Sequence, residues 1–188
     1  MDAAGFVLAG GRSSRMGRDK ALLELEGQAL LERAARRVLA AAGSVAVVGM
    51  PERHARFGWP VVEDLRPGEG PLAGIEAALA SPYAADWNLI VACDMPHLDA
   101  ALLERLLAEA RLQRPDCVVA QSARGPEPLC AVYARGFLDV ARRQLDAGRR
   151  KVSDAFEGLQ VVHLWADNPA AVINVNTPAD WRILAGDA

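Results

Sequence analysis

Four cations fall within nine residues near the start of the chain: Arg12, Arg15, Arg18 and Lys20. They follow a short apolar run and two adjacent glycines, in the order Gly5-Phe6-Val7-Leu8-Ala9-Gly10-Gly11. Glycine lets a backbone bend and approach a ligand closely because no Cβ intervenes. Successive backbone N–H groups in such a loop form an anion-binding hollow, and the cations match a polyphosphate in charge. The alternative is a solvated basic loop with no ligand. Two familiar phosphate loops are excluded by spacing. A P-loop needs Gly-Lys-Ser/Thr four residues after its first glycine. Here five residues separate Gly11 from Gly17, and Arg18 follows. The dinucleotide fingerprint needs Gly-x-Gly-x-x-Gly, whereas Gly10 and Gly11 are adjacent.

Asp94 closes the apolar segment Asn88-Leu89-Ile90-Val91-Ala92-Cys93. A carboxylate at the carboxyl end of a buried strand faces the ligand crevice of an open α/β sheet. Magnesium is commonly held by one or two carboxylates plus phosphate oxygens, which makes Asp94 the first candidate metal ligand. A turn or cap role is the alternative. In Asn174-Val175-Asn176-Thr177-Pro178, alternation puts both asparagines on one face of an extended segment. Thr177 can cap a following helix, with Pro178 at its first position. Turn and cap duty would also account for both asparagines. Asp64 follows the short strand Val61-Val62 and precedes Gly68 to Gly74; a solvated loop acid is its plain reading.

The elements that must position these residues alternate β and α. A first strand, Gly5 to Leu8, leads into the basic loop. Helical periodicity runs from Ala29 to Ala42 and stops at Gly43. Strands follow at Ser44 to Val48 and Pro60 to Val62, then a helix from Pro71 to Ala80 with proline in its first turn. The run ending at Cys93 reads as a central strand buried on both faces. Asp99 caps a helix reaching Gln113, and Cys117 to Ala120 is a further strand. Beyond residue 121 the expected pieces are a loop at Arg124 to Pro128, a strand at Leu129 to Tyr133 and a helix at Gly136 to Ala147. After these come a basic cluster at Gly148 to Lys151, a short helix at Ser153 to Glu157, strands at Leu159 to Leu164 and Val172 to Val175, and a final helix from Thr177. This order predicts one α/β domain: a Rossmann-like, mostly parallel sheet with helices on both faces. Residues 1–120 form its nucleotide-binding half, and 121–188 are expected to receive a second substrate.

Composition narrows the partners. The chain has 188 residues, enough for one full core, and 52% are hydrophobic, which argues against disorder. A net charge of −3 argues against general nucleic-acid binding, so the cationic loop points to a small anion. No apolar run approaches the length of a membrane span, and the first residues do not read as a signal peptide. Cys93, Cys117 and Cys130 fit neither zinc spacing nor a disulfide framework. They read as small, buried, reduced residues of a cytoplasmic protein. His54, His97 and His163 show no ligand or triad spacing and read as structural or surface residues.

Leu8, Ala9, Gly10, Gly11, Ser14, Arg15, Met16, Gly17, Asp19 and Lys20 resemble the signature of nucleotidyltransferases of the nucleotide-diphospho-sugar transferase type. Within that superfamily the chain is most similar to the molybdenum cofactor guanylyltransferases. Asp64 to Gly74, Cys93 to Pro96, Glu127 to Tyr133, Gly148 to Val152 and Asn174 to Pro178 carry that likeness in order along nearly the whole chain. The resemblance implies GTP and molybdopterin or Mo-molybdopterin as substrates, with molybdoenzyme-specific chaperones as further partners that leave no readable mark. It implies Mg2+ held by Asp94, with Asn176 as a weaker neutral ligand where related enzymes often place Asp. It assigns Leu8, Ala9, Gly10, Gly11, Lys20, Asp64 and Asp94 to the nucleotide. Arg15 and Lys20 offset phosphate charge, while Lys151, Asn174 and Asn176 face the acceptor. Catalysis then rests on Arg15, Lys20 and Asp94.

Two departures stand out. Val48-Gly49-Met50-Pro51-Glu52 lacks the asparagine that many members have after the second strand, so a base contact there falls to backbone groups. Glu127 stands where other members have His before Pro. The rival functions are cytidylyl transfer to molybdopterin, transfer to a sugar phosphate, and a non-catalytic nucleotide sensor or cofactor carrier.

Overall fold

The computed structural model describes residues 2–10 and 19–185. Strand β1 (Ala3–Leu8) lies near the middle of a seven-stranded sheet. A small antiparallel hairpin, β2 (Glu24–Leu25) and β3 (Gln28–Ala29), turns through Glu26 and Gly27, both at positive φ. It leads into helix α1 (Leu30–Ala42). Then come β4 (Ala46–Val48), the single-turn helix α2 (Pro51–His54), β5 (Val61–Val62), α3 (Pro71–Ala80) and β6 (Trp87–Ala92). The chain continues through α4 (Ala100–Gln113), β7 (Cys117–Ser122), β8 (Gly125–Ala134), α5 (Phe137–Asp146), β9 (Val161–Trp165) and α6 (Pro178–Ala185). Spatial order is β5-β4-β1-β6-β8-β7-β9. Only β8 runs antiparallel to its neighbours, so the sheet is mostly parallel, as the β-α order predicts.

The sheet is buried on both faces because its central strands carry apolar side chains on both. Val7, Leu89, Val91, Val118 and Val132 pack with α1 and α4. Phe6, Ile90, Val119, Ala131 and Tyr133 pack with α3 and α5. Each such aliphatic side chain withdrawn from water contributes about 1.5–3 kcal/mol. Gly43 ends α1 at φ 75°, donating its N–H to Leu39, as the sequence suggests. All three cysteines are buried and free. Burial holds each thiol above its ordinary pKa, with Cys117 pushed up to about 12.

Gly5 shows how tightly α1 seats on β1. A Cβ there would lie 2.2 Å from Val38 Cγ1 and 2.6 Å from the Ser44 carbonyl oxygen. The carbonyl belongs to the backbone and cannot rotate away. Gly5→Ala should therefore destabilise by about 1–3 kcal/mol, the usual cost of overpacking. For a chain of this size each kcal/mol lowers the melting temperature by about 2–4 °C. A thermal melt checks this; an unchanged midpoint would mean α1 is not held against β1 as described.

Two expectations are corrected. Arg124 to Pro128 is not all loop, because β8 starts at Gly125 and pairs Glu127 with Ala120. The register slips between Val119 and Ala120; such a bulge accommodates an extra stretch on one strand. Val172 to Val175 is not a strand of the sheet. Asn168 caps a 3-10 turn, Pro169–Val172, through the Ala170 N–H at 3.0 Å. Ala171 and Val172 are apolar because they pack on the α4 face of the sheet. No helix among the described residues is long and apolar enough to cross a membrane.

Candidate active site

The carboxyl edge of the parallel strands collects the exits of β1, β4, β5 and β6. The antiparallel β8 brings its beginning, with Glu127, to the same edge. β1 leaves the sheet through Ala9, whose N–H donates to Val48 O at 2.8 Å. Leu8 is committed to the fold: its side chain covers Gly74 and its carbonyl accepts from Cys93 N–H. Gly10 is the first exposed residue after β1. A Cβ there would meet nothing closer than Val48 O at 4.0 Å. Gly11 and Arg15 lie outside the described residues.

Lys20 returns to this edge on a 3-10 turn, Lys20–Leu22, which Asp19 caps by accepting from Ala21 N–H at 3.1 Å. The Lys20 ammonium donates to Asp94 Oδ2 at 2.9 Å and to Asn176 Oδ1 at 2.8 Å. Asp94 and Lys20 are each less than a fifth exposed, so this pair is less screened by solvent than a surface ion pair. The C-terminal segment is docked by main chain: Val175 N–H donates to Asp94 O at 2.9 Å, and the Val175 side chain is buried. The asparagines either side of it diverge to two partners. Asn176 meets Lys20, while Asn174 Nδ2 donates to Glu127 Oε1 at 3.3 Å. Burial first, and then the Asp94 charge, raise the Glu127 carboxyl above its ordinary pKa; the Asn174 amide opposes them.

Helix α6 fixes this segment from its other end. Thr177 Oγ1 accepts from Asp180 N–H at 3.1 Å, and Asp180 Oδ2 accepts from Asn176 N–H and Thr177 N–H at 2.9 and 2.8 Å. This is a capping box with Asp in the reciprocal position. The backbone donors hold the Asp180 carboxyl below its ordinary pKa. Sequence reasoning found the Thr177 cap and missed Asp180, although the Thr-x-x-acid spacing was there to read. It left Glu127 unassigned, because its closeness to Asp94 depends on the antiparallel strand.

The remaining candidates sit apart from this cluster. Asp64 follows the edge strand β5 and accepts from Arg66 N–H at 2.9 Å in a tight local turn. Two strand spacings separate β5 from β1, roughly 10 Å. Lys151 is exposed and opens the 3-10 turn Val152–Phe156. Its neighbour Arg150 reaches Glu69 at 3.5 Å, and Arg150 also approaches Gly70. The basic cluster thus adjoins the loop leading into α3.

The donor set suits a hard cation partnered by phosphate. Asp94 and Asn176 already hold an ammonium between two oxygens. Among the described residues, no group of three or more His, Cys, Asp or Glu could bind a metal alone. Magnesium needs only one or two protein carboxylates when phosphate oxygens complete its shell.

The fold matches molybdopterin-guanine dinucleotide biosynthesis protein A from Archaeoglobus fulgidus with a TM-score of 0.81, at 28% identity over 98% of this chain and 97% of that one. Rv0371c of Mycobacterium tuberculosis, crystallised with manganese, shares the fold at a TM-score of 0.74 and 20% identity over the full length of both chains. A mostly parallel seven-stranded sheet flanked by helices is the architecture of this nucleotidyltransferase fold. Among relatives, the molybdenum cofactor guanylyltransferase of Shewanella baltica is 34% identical over 95% of this chain and 93% of its own. The model of the MobA-like NTP transferase domain matches residues 5–161, and the chain belongs to that family.

Proposed function

We propose that the protein transfers GMP from GTP to the terminal phosphate of molybdopterin, or its molybdenum-bearing form, in the cytoplasm. The observation that carries this reading is the Lys20 ammonium held between Asp94 and Asn176 at the carboxyl edge of β1 and β6. GTP lies with its phosphates against Leu8 to Gly11, near Arg15 and Lys20, and its ribose or base toward Asp64. Lys151, Asn174 and Asn176 receive the pterin. A phosphate oxygen of the pterin attacks the α-phosphorus in line, the bond to the bridging oxygen breaks, and pyrophosphate leaves. Such transfer is mostly positioning and charge stabilisation, so no protein nucleophile is needed. Lys20 offsets charge on the phosphates, and Asp94 with Asn176 is the place for Mg2+. Held there, the ion would supply Lewis-acid stabilisation of the charge on the transferring phosphates. Hand-over of product to molybdoenzyme-specific chaperones belongs to this reading by likeness to the family alone.

Pyrophosphate release tests it, with magnesium and molybdopterin and with GTP, CTP, ATP or UTP in separate reactions. Release with GTP is expected. Release with CTP instead would keep the site and overturn the base. Binding of GTP without release from any nucleotide would point to a sensor or carrier.

A further inference from the structure

His54 is almost wholly buried, at 1% exposure, on the single turn α2 beside the exits of β1 and β4. Its ring lies over Gly49. A Cβ at Gly49 would come within 2.3 Å of Nδ1 and 2.7 Å of Cε1, so glycine is required there to make room for the imidazole. Met50 N–H donates to Nδ1 at 3.1 Å. That bond makes Nδ1 the acceptor and leaves the proton of the neutral ring on Nε2. Nε2 faces Asp19 Oδ2 at 3.6 Å, an electrostatic contact beyond hydrogen-bond length. The other oxygen of Asp19 caps the turn on which Lys20 stands. Arg53 also reaches Asp19 Oδ2, at 3.3 Å, but it is half exposed and such pairs contribute little. Nε2 is buried facing Asp19 with no hydrogen bond of its own, a cost that a Leu filling the same space would avoid.

We propose that His54 is a positioning residue: its buried ring, set by Met50 N–H with Nε2 turned to Asp19 Oδ2 3.6 Å away, backs the residue that caps the turn aiming Lys20 at Asp94 and Asn176. The inference rests on the transferase reading for the role of Lys20. Gly49 and Met50 serve to seat a ring that faces the residue capping the Lys20 turn.

The test pairs kinetics with a readout independent of turnover. His54→Leu should lower kcat by about 10- to 100-fold, the scale of a misplaced catalytic group, with the KM for GTP little changed. His54→Gln, whose side-chain N–H reaches to where Nε2–H lies, should restore most of the loss. Combining His54→Leu with Asp19→Asn should cost no more than the worse single change, because both break one contact. Nitrogen NMR of the wild-type protein should find Nδ1 unprotonated and the ring proton on Nε2. Wild-type kcat in folded His54→Leu, or a proton on Nδ1, overturns the proposal. If His54→Leu does not fold, the tautomer and the His54→Gln kinetics decide. Wild-type protein that releases no pyrophosphate from any nucleotide refutes the transferase reading instead, and the tautomer still judges the contact with Asp19.

Discussion

Asp94→Ala is expected to reduce pyrophosphate release by about 10²- to 10⁴-fold while leaving the fold intact. A ligand to a catalytic metal helps supply several kcal/mol of transition-state charge stabilisation, and each 1.36 kcal/mol is tenfold in rate. The fold should survive because the Asp94 side chain is outside both apolar clusters. The contact that docks the C-terminal segment uses the Asp94 carbonyl oxygen, which substitution leaves in place. Asp94→Asn keeps the shape and one carbonyl oxygen but loses the charge, so it should fall between Ala and wild type and need more magnesium for half-maximal rate. Pyrophosphate release titrated with magnesium, beside a thermal melt, measures both effects. Near-normal turnover of Asp94→Ala at ordinary magnesium would refute the metal assignment.

The sheet was legible wherever one strand carried its own pattern. Leu89 to Cys93 is apolar throughout, and the structure buries it, with Leu89 to Ala92 in the central strand β6. Asp99 reads as a cap and does cap α4, accepting from Ala101 N–H. The errors came where a segment's composition answers to a neighbour. Pro126, Glu127 and Pro128 look like loop because two prolines cannot donate. They lie in a strand because β7 pairs across the bulge. Val172 to Val175 looks like a strand because three of its four residues are apolar, but Val172 is buried on the sheet face and Val175 is docked by its N–H on the Asp94 carbonyl. The central contact of the site was the least legible in advance. Lys20 and Asn176 are 156 residues apart, and no local period or spacing records that they meet. The family resemblance nominated both residues; only the crossover topology explains why they touch.

That meeting makes a prediction about Lys20 that separates two roles. In the structure the ammonium stands between the two oxygens assigned to the metal. If Lys20 were only a structural clasp, Lys20→Ala would loosen the C-terminal segment and leave turnover close to normal. If it serves the phosphates, it moves onto them when metal and nucleotide bind. Lys20→Ala then loses about 10²- to 10³-fold in kcat, as when one preorganised charge-stabilising donor is removed. The turn itself should persist, since Asp19 caps it from the preceding residue and Ala21 is buried beneath it. Lys20→Arg should recover little, because a planar guanidinium does not replace a point charge held at 2.8 and 2.9 Å from two oxygens. Metal affinity supplies the second axis. The ammonium competes with a cation for Asp94 and Asn176, so Lys20→Ala should bind manganese at least as tightly as wild type, while Asp94→Ala binds it more weakly. Opposite movement of the two variants in metal affinity, with both slow in turnover, is the signature of a cation site served by a mobile lysine. Weak manganese binding in both would place Lys20 among the groups that build the metal site, and wild-type turnover in Lys20→Ala would remove it from the chemistry altogether.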